Sequence, residues 1–188
     1  MLAIALAFVL GILFQEFGEL IDKRYLHIKH FVLYNYLKKS HDGIIDNEAK
    51  LKIYRKNARA ILKKDKTNFG AGGKEFTDYE CAYVYAKAFY FIENKNKAAK
   101  YEKMRAIGDF CRSMIGMLVV VMILDIIHMV LILLECYKAQ KPYLLLMFLL
   151  ICIILFLAFK RRMLKVMKRK ARILMGTYDS CKENDENL

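Results

Sequence analysis

Two apolar runs, IGMLVVVMILDIIHMVLILL (Ile115 to Leu134) and LLLMFLLICIILFLAF (Leu144 to Phe159), constrain the fold of this chain more than any other feature. At about 1.5 Å rise per residue, the first makes a helix of roughly 30 Å, the thickness of a bilayer's hydrocarbon core. The second, counted from Pro142, carries no charge over eighteen residues. Interfacial Tyr143 brings it to spanning length. Only the short connector ECYKAQKPY separates them, and a bilayer admits no unpaired irregular backbone facing lipid. The pattern predicts an antiparallel transmembrane hairpin over 114–159. Asp125 lies near the midpoint of its first helix, with His128 one turn later.

The rest of the chain points to helix as well. The whole chain has one proline, few glycines outside a single loop, abundant Lys, Leu, Ile, Met and Ala, and no sustained apolar/polar alternation. The expected fold class is an all-α membrane protein: an N-terminal span at 1–18, a basic cytoplasmic helical domain at 19–113, the hairpin, a basic amphipathic helix at 160–178 and an acidic flexible tail at 179–188. The N-terminal run LAIALAFVLGILF is short for a span, and a cleaved signal peptide competes with it. No positively charged stretch precedes it and no small-residue cleavage site follows, which favours a retained span.

Charge sets the expected orientation. Residues 15–113 hold twenty-one Lys/Arg against thirteen Asp/Glu, and 160–188 hold nine against four, while the connector holds only Lys138 and Lys141. With three crossings, the positive-inside rule puts the N-terminus and the connector outside. The soluble domain and C-terminus face the cytoplasm of an inner (plasma) membrane.

Within the soluble part, FGELIDKRYLHIKHFVLYNYLKKS is expected to prolong the first helix, with Leu20, Tyr25 or Arg24, Ile28, Phe31 and Tyr34 on one face and SHDG as its stop. A second helix, Asn47 to Lys66, has Leu51, Tyr54, Ala58, Ile61 and Leu62 at helical spacing, with Lys52, Arg55, Lys56, Arg59 and Lys63 around the rest. TNFGAGGK reads as a flexible loop. A third helix starts at the capping box Thr77-Asp78-Tyr79-Glu80. It carries the aromatics Tyr79, Tyr83, Tyr85, Phe89, Tyr90 and Phe91, read mostly as core. ENKNK is a turn or an exposed helical stretch, after which one helix runs from Ala98 into the hairpin. Past Phe159, eight Lys/Arg within Lys160–Arg172 flank a narrow seam of Met163, Met167, Ala171 and Leu174.

Asp125 and His128 are the sharpest candidates for function. A carboxylate at the bilayer centre costs about 2.5–3.5 kcal/mol on insertion scales, so it should face protein or water. As a pair at i,i+3, the two side chains line a pore in an assembly of several chains, lock helices together, or form an incidental buried pair. Homo-oligomerisation is expected, because one three-helix unit cannot enclose a pathway and leaves its central Asp125 half-satisfied. Arg55, Lys56, Arg59 and Lys63 are candidates for binding an acidic partner protein, a nucleotide or nucleic acid. Arg161, Arg162, Lys165, Lys168 and Arg169 are candidates for anchoring to anionic lipid, at about 1 kcal/mol per basic residue.

Other chemistry finds little support. GAGGK lacks the glycine and the Ser/Thr of a phosphate-binding loop, since Asn68 and Glu75 stand there. His27, His30 and His41 have no HExxH context, and the five scattered cysteines contain no CxxC pair. Neither a metal site, a cofactor nor a disulfide framework is expected. No nucleophile motif is visible, and the chain is read as a non-enzyme.

In architecture, the hairpin, the helical domain before it and the basic helix Lys160–Met175 resemble the small multi-span membrane effectors of bacterial antiphage systems. That resemblance implies a cytoplasmic part that senses a nucleotide signal or a partner, and a hairpin that then depolarises the membrane. It rests on no residue motif, and no functional residue is carried over from it. The reading is a regulated pore or membrane-disrupting effector. The alternative is a membrane scaffold that recruits a soluble partner or nucleic acid through its basic helices.

Overall fold

A computed structural model describes residues 2–38, 44–45, 47–64, 75–134 and 142–186; the side chains of 2–7, 133, 142 and 185–186 fall outside that description. Every regular element among the described residues is helical: α1 (Leu2–Ile21), a π turn (Asp22–Leu26), α2 (Ile28–Asn35), α3 (Glu48–Lys64), α4 (Asp78–Asn94), α5 (Ala99–Leu133) and α6 (Pro142–Glu186). The SHDG stop, the TNFGAGGK loop and residues 135–141 of the hairpin connector lie outside the described residues. The chain divides into two compact units, Met1–Leu26 with Gly108–Met163, and His27–Ile107 with Leu164–Leu188.

The first unit contains the apolar stretches. By length and composition, two helices, α5 and α6, are long and apolar enough to cross a membrane, and their apolar stretches belong to this unit. α5 carries no proline, and Pro142 of α6 stands in the first turn, where its missing N–H costs nothing. Only 6% of the apolar window of α6 is buried, so these side chains are not the core of a soluble domain. Leu144, Phe148, Ile151 and Leu155 all stand exposed on it. Such a surface exceeds the apolar patches of soluble monomers and needs lipid or protein to cover it. α1 forms one unbroken helix over residues 2–18 of the expected N-terminal span, and Phe8, Val9, Ile12 and Leu13 are exposed on it.

The second unit is a small helical domain with a closed core. On α4 the buried stripe is Cys81, Val84, Ala88 and Ile92, each with no exposed surface. This corrects the expected aromatic core: Tyr79 and Tyr90 are exposed, while Tyr85 and Phe89 flank the stripe and pack on Tyr101. Small residues at the helix centre let α2 and α4 approach closely, and the rings fill the margins. Tyr36 closes this contact, donating its hydroxyl to the carbonyl of Cys81 at 3.0 Å. Burial pushes the Cys81 thiol up to about 11, which leaves it inert.

Two further expectations are corrected. The helix after α1 is not continuous: the π turn inserts a residue into the ladder, and His27 adopts a left-handed conformation (φ 51°) before α2 begins. The helical phase shifts accordingly. Of the residues expected on one face, Ile28 is buried and Phe31 and Tyr34 are half-buried, whereas Leu20 and Tyr25 are exposed, Tyr25 at 73%. The acidic tail, expected to be flexible, stays helical through Glu186. It is held there by Asn57, which donates to Asp179 Oδ1 at 2.5 Å and accepts from Lys182 Nζ at 3.4 Å.

Other expectations hold. The seam Met163, Met167, Ala171 and Leu174 is buried, as are Tyr54, Ala58, Ile61 and Leu62 on α3. α5 runs unbroken from Ala99 through the apolar stretch. The capping box is present: Thr77 Oγ1 accepts from the Glu80 amide at 3.2 Å, and the Glu80 carboxylate accepts from the Thr77 amide at 2.7 Å. Thr77→Ala is expected to lower stability by about 1 kcal/mol, read from the midpoint of reversible chemical unfolding. Wild-type behaviour would show that α4 is held by packing alone.

Candidate functional site

In the first unit, polar chemistry concentrates where α1 crosses α5. Phe14, Gly18 and Asp22 recur every fourth residue on α1 and its π turn, and they meet Arg112 and Gly116, also four apart. A Cβ built on Gly18 would stand 2.1 Å from the Arg112 carbonyl oxygen, and one on Gly116 would stand 2.3 Å from that of Phe14. Only hydrogen fits at either position. Close approach of this kind is how small residues join helices in lipid, by backbone packing rather than by the hydrophobic effect.

A buried ion network closes the same crossing. Arg112 donates from Nη1 to Asp109 Oδ1 at 2.8 Å, and its Nε lies 4.0 Å from Asp22 Oδ2. Both Arg112 and Asp22 are buried. Nε has no hydrogen-bond partner, so charge rather than a direct bond couples the two groups. Opening the crossing would weaken an attraction between two charges that burial shields from solvent.

Asp125 is buried too, at 7% exposure, and its Oδ2 has no hydrogen-bond partner. His128 is exposed. The two candidates of the polar pair therefore differ in environment: Asp125 points into the unit and His128 lies on its surface.

The second unit contains a basic cleft of about 1050 Å³. Six cationic side chains converge on it: Lys50 from α3, Lys97 and Lys100 at the start of α5, and Lys165, Arg169 and Arg172 from α6. No acidic residue is among the described residues that line it. Tyr54, itself buried, reaches it from α3, and burial raises its hydroxyl above the ordinary value, with the Asp179 carboxylate adding to the shift and Arg172 opposing it. The hydroxyl stays a donor at any physiological pH. Gly176 lies opposite, where a Cβ would come within 3.3 Å of that oxygen.

Of the expected basic candidates, only Lys165 and Arg169 line the cleft. Lys56, Arg59 and Lys63 are exposed on α3 and do not line it, and Arg55 lies over the Phe76 ring at 5.6 Å. Arg161 and Arg162 are exposed in the first unit, and Lys168 is half-buried in the second. Lys50, Lys97, Lys100 and Arg172 were missed because the sequence shows runs of charge and not which turns converge. A signal did exist: Lys165, Arg169, Arg172, Gly176 and Ser180 follow one helical face. The crossing glycines had no comparable mark.

Among the described residues no group of His, Cys, Asp and Glu could hold a metal ion. No family model matches the chain, and no curated protein or solved structure matches it.

Proposed function

We propose that this protein is a homo-oligomeric, three-span inner-membrane effector, with its soluble unit in the cytoplasm controlling a membrane unit that permeabilises the bilayer. The single observation that carries the reading is Asp125, a buried side chain with an unpartnered carboxyl oxygen in an apolar helix. An unsatisfied buried polar group costs about 1–3 kcal/mol, and leucine there would cost nothing. A group retained at such expense is explained if another arrangement of the helices gives it a partner: water, a cation or a donor from a second copy. His128, on the outer surface of the same helix, supplies polar chemistry for an assembly.

Orientation follows from the distribution of Lys and Arg. Exposed apolar side chains along α1, α5 and α6 support three crossings. The basic cleft favours a second reading, a scaffold that recruits an anionic partner without permeabilising anything.

Two outcomes are expected of the purified chain. In a neutral detergent its protein mass should be a multiple of 22.1 kDa. After reconstitution into vesicles loaded with a self-quenched dye, it should release dye spontaneously or on addition of the cytoplasmic ligand. A single 22.1 kDa species that leaves vesicles sealed under both conditions would favour the scaffold.

A further inference from the structure

We infer that the basic cleft of the second unit binds a small polyphosphorylated ligand, with at least two clustered phosphate groups joined to an organic body. This deepens the sensor half of the proposed function and rests on it only for the consequence of binding.

Six cations facing one space repel each other, and like charges one helical turn apart destabilise a helix. Lys97 and Lys100 stand at the positive end of α5, where cations are further disfavoured. An anion of comparable charge relieves both costs at once. A single phosphate would not suffice: the cleft is of the size that takes whole organic ligands, and one phosphate would balance only a small part of the positive charge that lines it. Tyr54, Asn47 and Thr177 add neutral donors for phosphate oxygens, and Ile45 and Ile173 give the non-phosphate body an apolar wall. Gly176 keeps the floor open beside the Tyr54 hydroxyl. A nucleic-acid backbone would instead track a stripe of cations along the surface, which is what Arg59 and Lys63 offer outside the cleft.

The same chemistry has two sources, a soluble nucleoside polyphosphate or the headgroup of a phosphorylated lipid. Sequence keeps the second source open, because Lys165 follows the last residue of the apolar run, Phe159, by only six positions.

The test is calorimetric titration of the full chain in uncharged detergent with ATP and with inorganic tripolyphosphate. A parallel flotation assay uses neutral vesicles with and without phosphatidylinositol bisphosphate. Wild type is compared with Lys100→Glu/Arg169→Glu in the cleft and Arg59→Glu/Lys63→Glu outside it. All four positions are exposed, so the folds should survive, and circular dichroism checks this. Saturable binding that weakens at least about tenfold in the cleft variant and less than about twofold in the outer variant supports the proposal. Binding of ATP and tripolyphosphate identifies a soluble ligand; preferential flotation with the phosphorylated lipid, lost only in the cleft variant, identifies the headgroup. Equal weakening in both variants reduces the effect to net charge and overturns the site, as does no binding to any probe. Dye release plays no part in the assay, so a chain that binds but never permeabilises would fail the proposed function and leave the cleft standing.

Discussion

Gly116→Ala is expected to destabilise the chain by about 1–3 kcal/mol, the range for overpacking a close contact, although alanine is the better helix former by about 1 kcal/mol. The added methyl would lie 2.3 Å from the Phe14 carbonyl oxygen and 3.0 Å from the Gly18 amide nitrogen, both backbone atoms that no rotamer change can move aside. α1 must then back away from α5. Separation also lengthens the 4.0 Å approach of Arg112 to Asp22 and weakens the attraction between these two buried charges, while Arg112 keeps its bond to Asp109. Gly18→Ala should act alike, since its Cβ would meet the Arg112 carbonyl oxygen at 2.1 Å. Gly11 supplies the control. Nothing lies within 4 Å of its Cβ position, so Gly11→Ala should leave stability unchanged or raise it by up to about 1 kcal/mol. Unfolding of the detergent-solubilised protein by sodium dodecyl sulfate, followed by circular dichroism, ranks the three. Equal midpoints for all of them would mean that the crossing contributes nothing to the fold.

The elements of this fold were legible where one local rule decides them. The capping box at Thr77 needs only four residues, and the seam from Met163 to Leu174 needs only the helical period. Both stand as the sequence implies. The π turn at Asp22–Leu26 was not legible, because DKRYL carries no glycine or proline to mark it and every residue after it moves to a new face. The aromatic run on α4 misled for a different reason. Ring size predicts total burial, but helix–helix distance selects the residue at the centre, and Cys81, Val84 and Ala88 allow the closer packing. The candidate sites divide in the same way. Asp125 was conspicuous as one carboxyl in a long apolar run. Asp22 and Arg112, some ninety positions apart in the chain, were two charges among many until the crossing joined them.

Asp125→Leu is expected to separate stability from function. If the carboxyl merely locks helices, removing it loosens them and stability falls. The proposed function requires the opposite sign. Oδ2 is buried without a partner, so leucine removes an uncompensated cost, and the variant should gain about 1–3 kcal/mol against unfolding. Permeabilisation should vanish, because the alternative arrangement no longer gains a partner for this position. Gains in stability with losses in activity are the pattern where a site is held strained for its work. Asp125→Asn keeps the size and hydrogen-bonding capacity of the side chain and should fall between the two.

Membrane potential in living bacteria, followed with a potential-sensitive dye after induction of wild type and Asp125→Leu at matched membrane levels, tests the central claim most directly. The account predicts depolarisation by the wild type and none by the variant. Equal depolarisation by both would contradict it, leaving Asp125 without a part in permeabilising the membrane.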